Sequence, residues 1–281
     1  MKSLIKKSLI KAARNETVWK VLTVTLFKLS RYLERPEHRN PNALPRTTLN
    51  YNTALQKISP DMTVRNGIFK GLKYPASKSV GSSLIPKLLG CYERELQHLL
   101  ERLAERDYSE IVDIGCAEGY YAVGLSRMFP RAKIFAFDTN PDGLQLCRLM
   151  AQANGVESRL ATGDFCDAAA LMNLPLTRRA LVVSDCEGYE KHLFTPETVR
   201  HLAKHDVLIE VHDLLDINIS GRLRSVFADT HALEIIESVD DVKKVQLYDY
   251  PELAPFNLAE RKALLTEDRG NLMEWFYFSP R

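Results

Sequence analysis

The sequence lacks the features that mark secreted, disulfide-bonded or zinc-knuckle proteins. Its five cysteines are odd in number and none forms a C-x-x-C pair, so neither a disulfide framework nor a zinc knuckle is indicated. No small-residue cleavage site follows the N-terminal apolar residues, which argues against a secretion signal. Internal repeats and low-complexity tracts are also absent. We therefore expect a globular protein of the reducing cytoplasm.

No run of the sequence is long and apolar enough to cross a bilayer, which needs about 20 residues. The best candidate, Val18 to Leu29, is short and contains lysines. Residues 1–40 hold ten Lys or Arg against three Glu, a charge of +7, so the remaining residues carry −5 of the total of +2. An apolar stripe at helical spacing, from Val18 to Leu33, runs through this basic segment.

The basic segment has three interpretations. It fits an interfacial helix on an anionic membrane, which would place the protein peripherally at the inner membrane face. It also fits an arm for nucleic acid, or a helix that packs on its own domain or on a second subunit in a homodimer. We favour the packed helix. Prolines between residues 36 and 45 predict a linker after it.

The chain is predicted to consist of an N-terminal helical extension with its linker, a lead-in segment and a main domain, at residues 1–60, 61–108 and 109–281. In the lead-in segment, Asn66-Gly67 predicts a hairpin turn, and leucines recur at helical spacing between Tyr92 and Arg106. Because this segment precedes the first strand of the main domain, we expect it to cover the site as a lid. Tyr92 and Glu93 are predicted to contact the substrate, and the alternative is that both only cap and pack the helix.

The run IVDIGCAEGYYAVGL, residues 111–125, is the most informative feature of the chain. An apolar strand delivers Asp113 into a turn of small residues that opens into a helix. A second apolar strand, Lys133 to Phe137, then places Asp138 at its tip. Open α/β sheets bind ligands at the carboxyl ends of their strands, and an acid about 20 residues after such a turn accepts from a ribose diol. The pattern predicts a cofactor that contains a nucleoside.

The turn also indicates which nucleoside cofactor binds. A pyrophosphate cradle needs G-x-G-x-x-G, whereas this turn has Ala117 at the middle position, Glu118 beside it and no lysine for a phosphate. A carboxylate aimed at the turn would repel a pyrophosphate but suits an ammonium and a sulfonium. We therefore predict S-adenosylmethionine. The alternative is an ordinary βα turn whose glycines serve only packing.

Strands and helices alternate from residue 111 onwards. Five strands are predicted at 111–114, 133–137, 159–161, 180–184 and 207–211, and two more at 232–237 and 273–278. A helical insertion near 258–265 separates the last two strands. The fold class is therefore α/β, with a Rossmann-like sheet of seven mostly parallel strands, one of them antiparallel, and helices on both faces.

Cofactor contacts are predicted at the tips of the first three strands. After the third strand, Asp164 is predicted to accept from the adenine amino group and Phe165 to contact the adenine face. The predicted cofactor-binding residues are Asp113, Gly115, Cys116, Ala117, Glu118, Gly119, Tyr120, Asp138, Thr139, Asp164 and Phe165.

Acidic residues and a histidine follow the fourth and fifth strands. Asp185 and Glu187 come directly after the fourth strand, and Glu210 and His212 lie at the end of the fifth. Neighbouring parallel strands bring these groups to one edge of the sheet, so they form the predicted catalytic set. His212 is the predicted base, and Asp185 with Glu210 either orients it or holds an optional Mg²⁺. The alternative for the first cluster is a capping box at a helix start.

With these motifs the chain resembles the class I methyltransferases and, within them, the FkbM-type family. The resemblance covers Gly90 to Phe278 and rests on DIGCAEGYYAVGL, AFD, GDF and above all DCEGYE, which ends at Glu190. It implies a Rossmann-like fold, S-adenosylmethionine as methyl donor and O-methylation of a sugar or polyketide hydroxyl. It also implies that Glu190 borders the acceptor together with Asp185 and Glu187.

The expected partner is therefore a small molecule, and nucleic acid is not expected. Two other functions stay open. An RNA or protein methyltransferase would use the basic N-terminal segment to hold a large acceptor, but no NPPY-like tetrapeptide, which grips a planar base amine, follows the fourth strand. A non-catalytic S-adenosylmethionine-binding protein is the second alternative, although the crowded acids at two strand tips argue against it.

Overall fold

The computed structural model describes residues 49–267, 269 and 271–281. The predicted basic helix and the proline-rich linker fall within residues 1–48, outside these described residues.

Seven strands form one sheet in the order β3-β2-β1-β4-β5-β7-β6. The strands are β1 Glu110–Ile114, β2 Lys133–Phe137, β3 Leu160–Gly163, β4 Ala180–Ser184, β5 Asp206–Val211, β6 His231–Glu237 and β7 Glu274–Pro280. Strands β1 to β5 are parallel, whereas β7 runs antiparallel to both β5 and β6. The predicted α/β class, with seven mostly parallel strands, is confirmed.

The central strands are buried on both faces. Every residue of β1, β4 and β5 is buried, because helices cover both sides of a parallel sheet and leave its strands no solvent face. Alternate residues point to opposite faces. Ile111 and Leu181 accordingly belong to one cluster of buried apolar side chains, and Val112 and Val182 belong to a second.

Short helices surround the sheet. They are α1 Tyr51–Ile58, α2 Leu84–Leu89, α3 Gln97–Ala104, α4 Tyr120–Met128, α5 Pro141–Ala153, α6 Ala168–Met172, α7 Glu190–Leu193, α8 Pro196–His201, α9 Ile219–Phe227, α10 Asp241–Leu247 and α11 Leu258–Leu265. Asn140 starts α5 by accepting from the backbone N–H of Asp142. Within the described part of the chain, no helix combines the length and the apolarity that a membrane span requires.

Helix α1 and the lead-in segment that follows it pack on the main domain through buried side chains of α1, α2 and α3. The leucines between residues 96 and 103 are all buried, which agrees with their helical spacing. A single antiparallel β-bridge joins Thr63 to Lys73. The hairpin turn therefore lies further along the chain than the predicted Asn66-Gly67. A Cβ on Gly67 would lie 2.4 Å from the carbonyl oxygen of Gly90. Gly67 is therefore needed for a close approach of two backbones and does not form a two-residue turn.

An insertion that contains α10 and α11 separates β6 from β7. Lys244 of α10 is buried, and its Nζ lies 2.7 Å from the Glu267 carboxylate and 3.0 Å from that of Asp241. These ion pairs fix the chain that returns from α11 to the sheet. The returning chain carries Arg269 to the sheet edge where β1, β4 and β5 end.

Candidate cofactor and acceptor site

A crevice of about 530 Å³ opens at the carboxyl ends of β1, β2, β4 and β5. The strand order reverses between β1 and β4, and open α/β sheets bind ligands at such a switch point. The predicted site residues that line the crevice are Tyr92, Asp113, Gly115, Cys116, Ala117, Tyr120, Asp138, Thr139, Asp164, Phe165, Asp185, Glu187, Glu210 and His212. Four others, Glu93, Glu118, Gly119 and Glu190, do not line it.

The turn after β1 brings two strand tips into contact. Gly115 has a φ of +88°, and a Cβ there would lie 1.7 Å from the carbonyl oxygen of Asp185. Gly119 has a φ of +98°, and a Cβ there would lie 2.8 Å from the Sγ of Cys147. Both positions therefore require glycine. Gly119 shapes the turn and packs on α5, which corrects its predicted contact with the cofactor.

Asp113 lies at the floor of the crevice with almost no solvent exposure. Its Oδ2 atom is buried and has no hydrogen-bond partner among the described residues. Burial raises the pKa of this carboxyl to about 7, because desolvation penalises the charged form. An orphaned carboxylate oxygen facing the crevice suits a cationic ligand group such as the ammonium of S-adenosylmethionine.

Asp138 is fixed at the tip of β2. Its Oδ2 accepts from the backbone N–H of Ala117 at 2.7 Å, and its Oδ1 accepts from that of Asn140 at 2.7 Å. Each carboxylate oxygen has a second lone pair, so both remain able to accept from a ribose diol. Asp164 and Phe165 line the same end of the crevice.

Phe165 is 51% exposed and meets Tyr189 edge to face, with ring centroids 5.0 Å apart. A half-exposed aromatic ring at the mouth of a crevice offers its face to a planar ligand. The contact of Phe165 with adenine stays a prediction, with which this position agrees.

Glu118 corrects one prediction. Its carboxylate is buried and bonded to Lys87 Nζ at 2.6 Å, to Ser79 Oγ at 2.8 Å and to the backbone N–H of Val80 at 2.9 Å. Burial raises the pKa of Glu118, but the Lys87 charge and these hydrogen bonds together outweigh burial, so the pKa is lowered. Glu118 therefore anchors the lead-in segment and does not face the cofactor. Asp113 is the acid that remains for the ammonium.

The acids and the histidine at the tips of β4 and β5 converge, as predicted. His212 Nδ1 lies 2.6 Å from Glu190 Oε1. Its Nε2 lies 3.4 Å from Asp185, 3.5 Å from Glu187 and 3.9 Å from Glu210, measured to carboxylate oxygens. We call Asp185, Glu187, Glu210 and His212 the acid–histidine cluster.

Glu190 orients His212 instead of bordering the acceptor. It is fully buried, and its hydrogen bond to Nδ1 directs Nε2 toward the crevice. Burial lowers the pKa of His212, but the hydrogen bond and the charge of Glu190 outweigh burial and raise it. The resemblance-based role of Glu190 is thus corrected to a positioning role.

Arg269 is the site residue that the sequence analysis missed. It binds the carboxylates of Glu93, Glu210 and Glu267. Glu93 also accepts from the Tyr121 hydroxyl and is buried behind the crevice wall, so its predicted contact with the substrate is wrong. Nothing in the sequence pattern distinguishes Arg269 from a surface arginine, because its partners lie 2, 59 and 176 positions away.

Burial, together with the crowding of carboxyl groups, raises two pKa values in the cluster. Burial, and next the charge of Glu93, raises the pKa of Asp185 to about 7. Burial, and next the charge of Asp185, raises the pKa of Glu210 to about 8, although Arg269 opposes the shift. Shifts of this size, caused by burial and a specific charged neighbour in a cleft, are typical of functional sites.

Comparison with known proteins gives a family match over part of the chain. Residues 95–177 match the family model described as Methyltransferase small domain. The tRNA1(Val) (adenine(37)-N6)-methyltransferase of Porphyromonas gingivalis is 26% identical over 168 residues, which cover 58% of this chain and 64% of that protein. The ribosomal RNA small subunit methyltransferase C of Pseudomonas fluorescens is 29% identical over 117 residues, which cover 41% of this chain and 34% of that protein.

The similarity to solved structures is low. The crystal structure of TrmN from Thermus thermophilus matches with a TM-score of 0.46 and 17% identity, over 70% of this chain and 52% of that one. The chain spans less than two thirds of the length of these relatives.

Both curated relatives are named as RNA methyltransferases, so the prediction that nucleic acid is not a partner is wrong. The residues that match the family model contain β1, β2, β3 and the turn after β1, which together form the cofactor half of the crevice. The family match, the sheet order and the crevice support a class I S-adenosylmethionine-dependent methyltransferase, with S-adenosylmethionine as its cofactor.

Proposed function

We propose that the protein transfers a methyl group from S-adenosylmethionine to a hydroxyl oxygen of its acceptor. One observation carries this proposal: the acid–histidine cluster shares a crevice with Asp113 and Asp138. A donor site and a group that can take up a proton therefore lie in one cavity.

The donor side is built from residues of the first three strand tips. Bound S-adenosylmethionine supplies a methyl group on a positively charged sulfur. Asp138 would hold its ribose diol and Asp113 its ammonium, while Asp164 and Phe165 would contact the adenine. A carboxylate beneath the turn disfavours a dinucleotide with its pyrophosphate, and Lys87, which lines the crevice, is already paired with Glu118.

The acceptor side suits a hydroxyl, which is a weak nucleophile at neutral pH and gains from a base. Because Glu190 holds Nδ1 of His212, Nε2 faces the crevice and can receive the hydroxyl proton. The Glu190 carboxylate then stabilises the imidazolium. The same surroundings hold three further carboxylates, so a phosphate group would be repelled from this point.

Methylation of a base amine in RNA is the second candidate, and the relatives' names favour it over a small sugar acceptor. The residues that follow β4 are Asp185-Cys186-Glu187-Gly188, which differ from an NPPY-like grip on a planar amine. Membership of the FkbM-type family stays a prediction, and it supports the hydroxyl acceptor.

Methyl transfer from labelled S-adenosylmethionine tests both candidates. Total RNA, sugars, lipids and small metabolites serve as acceptors, and mass spectrometry of the hydrolysed product distinguishes O-methyl from N-methyl groups. We expect an O-methyl product. An N-methylated base would replace the hydroxyl proposal with the second candidate, and absence of turnover despite donor binding would favour a binding protein.

His212→Ala identifies the residue on which transfer depends. Turnover should fall roughly 10²–10⁴-fold, while affinity for S-adenosylhomocysteine changes little. The matched control is His98→Ala, since the side chain of His98 is 96% exposed and lies on α3 away from the crevice lining. Equal activity in both variants would remove His212 from the mechanism.

A further inference from the structure

We propose that Asp185, Glu187 and His212 form a binding site for a divalent first-row transition metal ion. The site lies within the acceptor side of the crevice, so it deepens the proposed function by naming an ion that would hold the acceptor oxygen. The ion-binding property itself does not depend on methyl transfer and is measured without it.

The spacing of the three ligand atoms fits an ion. One nitrogen of His212 and one carboxylate oxygen from each acid lie within 4.8 Å of one another. Nε2 is 3.4 Å and 3.5 Å from the two oxygens, which is longer than a good hydrogen bond between such groups. Ligand atoms about 2.1 Å from a tetrahedrally coordinated ion stand about 3.4 Å apart. The two separations from Nε2 therefore match neighbouring ligands of one ion.

One buried oxygen of this group lacks a hydrogen bond. Oδ1 of Asp185 is buried and has no hydrogen-bond partner among the described residues. Nε2 of His212, whose side chain is only 7% exposed, lies 3.4 Å from this same oxygen. Buried polar atoms are normally satisfied, so this oxygen points to a ligand.

His212 is also oriented as metal-binding histidines are. Such a histidine usually donates its second ring N–H to a carboxylate, which fixes the tautomer and makes the free nitrogen a better ligand. Glu190 Oε1 lies 2.6 Å from Nδ1 and supplies this contact. Glu190 itself has no solvent exposure, so the contact is well defined.

The donor set selects the class of ion. One imidazole nitrogen and two carboxylates suit Mn²⁺, Fe²⁺ or Zn²⁺, whereas Mg²⁺ prefers oxygen ligands alone. From the sequence, Asp185 and Glu210 are the predicted ligands of an optional Mg²⁺. Glu210 instead binds Arg269, and its oxygen is 3.9 Å from Nε2. Glu187 takes the place of Glu210 in the proposed site.

An ion at this position would take the lone pair of Nε2 that otherwise receives a proton. Activation of the hydroxyl would then come from a Lewis acid, which lowers the pKa of a bound hydroxyl, and the released proton would pass to water. The two routes share His212 but differ in Glu187, which only the ion requires.

Titration of the metal-free full chain with Mn²⁺, followed by the electron paramagnetic resonance signal of free Mn²⁺, tests the proposal. We expect one site with a Kd of roughly 100 μM or tighter, and competition by Zn²⁺. Glu187→Gln should weaken binding at least tenfold and Glu190→Gln roughly 10–100-fold. The matched control is Glu101→Gln on α3, which should bind as the native chain does. The 78% exposed side chain of Glu187 lets that variant fold, which circular dichroism and unchanged affinity for S-adenosylhomocysteine verify.

Lack of saturable Mn²⁺ binding by the native chain would overturn the proposal, and so would equal binding by Glu187→Gln and Glu101→Gln. A chain that binds Mn²⁺ through these residues but transfers no methyl group would retain the ion site and remove the proposed function. If methyl transfer is unaffected by chelation and the chain binds no Mn²⁺, the proposed function would be retained and the ion site would be excluded.

Discussion

Replacing Asp113 with asparagine should separate the effect of this carboxyl on the stability of the cofactor-free protein from its effect on donor affinity. The pKa of Asp113 is raised from 3.8 to about 7 by burial, so the native state holds its proton more tightly than the unfolded chain does. Stability from this group is therefore present at low pH and is lost as the pH rises from about 4 to about 7. Asparagine carries no such dependence.

The size of the effect follows from the shift. Between pH 5 and pH 7 the native chain should lose about 2.3 kcal/mol relative to Asp113→Asn, at about 1.36 kcal/mol per pKa unit and with the native group half ionised at the upper limit. Above about pH 8 the difference should become constant. Urea unfolding of both proteins without cofactor, at half-unit steps from pH 5 to pH 8.5, measures it. Comparing the two proteins across pH removes the pH-independent cost of the substitution itself.

Binding of the donor should instead favour the ionised form of Asp113. The ammonium of S-adenosylhomocysteine pairs with ionised Asp113, and a charge-assisted hydrogen bond contributes about 1.5–3 kcal/mol, so Asp113→Asn should weaken binding at least tenfold at pH 8. Native affinity should also fall as the pH drops below 7. A pH-independent stability difference would refute the raised pKa, and equal affinities at pH 8 would refute the ammonium contact.

Three further substitutions test the residues that hold the donor or support the site, namely Asp138, Gly115 and Lys87. Asp138→Ala should weaken S-adenosylhomocysteine binding at least tenfold in calorimetry with the fold intact, because the ribose diol loses two charge-assisted hydrogen bonds; unchanged affinity would exclude Asp138. Gly115→Ala should prevent folding, seen by circular dichroism, since its Cβ would lie 1.7 Å from a backbone oxygen. Lys87→Met should cost about 3–5 kcal/mol in urea unfolding by leaving buried Glu118 unpaired; a neutral effect would mean that Glu118 accepts a proton instead.

The fold was predictable because its signals are local. Buried parallel strands appear as continuous apolar runs, and β2 and β4 begin and end at the predicted residues. The antiparallel last strand also follows from the sequence, since a late pair of strands with one insertion leaves few alternatives. The lead-in turn was not predictable, because Gly67 serves a backbone approach to Gly90 that no short window contains.

The positions of the site residues were predictable where these residues follow strand tips. The directions of their side chains were not predictable, because each depends on its contact partners. Asp185, Glu210 and His212 converge because β4 and β5 are neighbours. Glu118 lies in the predicted cofactor turn, yet its carboxylate binds Lys87, which is 31 positions earlier in the chain. Glu190 is turned inward by His212 in the same way. The direction of a side chain depends on these distant contacts, which sequence spacing does not encode.

Charge explains why donor, acceptor and ion fit one crevice. Glu93, Asp185, Glu210 and Glu267 lie near its acceptor side. Arg269 bonds three of them, and Lys244 also pairs with Glu267. The carboxyl groups still outnumber these cations, which adds to burial in raising the pKa values of Asp185 and Glu210. Such a crevice disfavours pyrophosphate and attracts a sulfonium, an ammonium or a metal ion. Arg269→Met should therefore raise the pKa of the cluster carboxyls further and shift the acidic limb of the pH–rate profile upward; an unchanged profile would show that Arg269 acts only in folding.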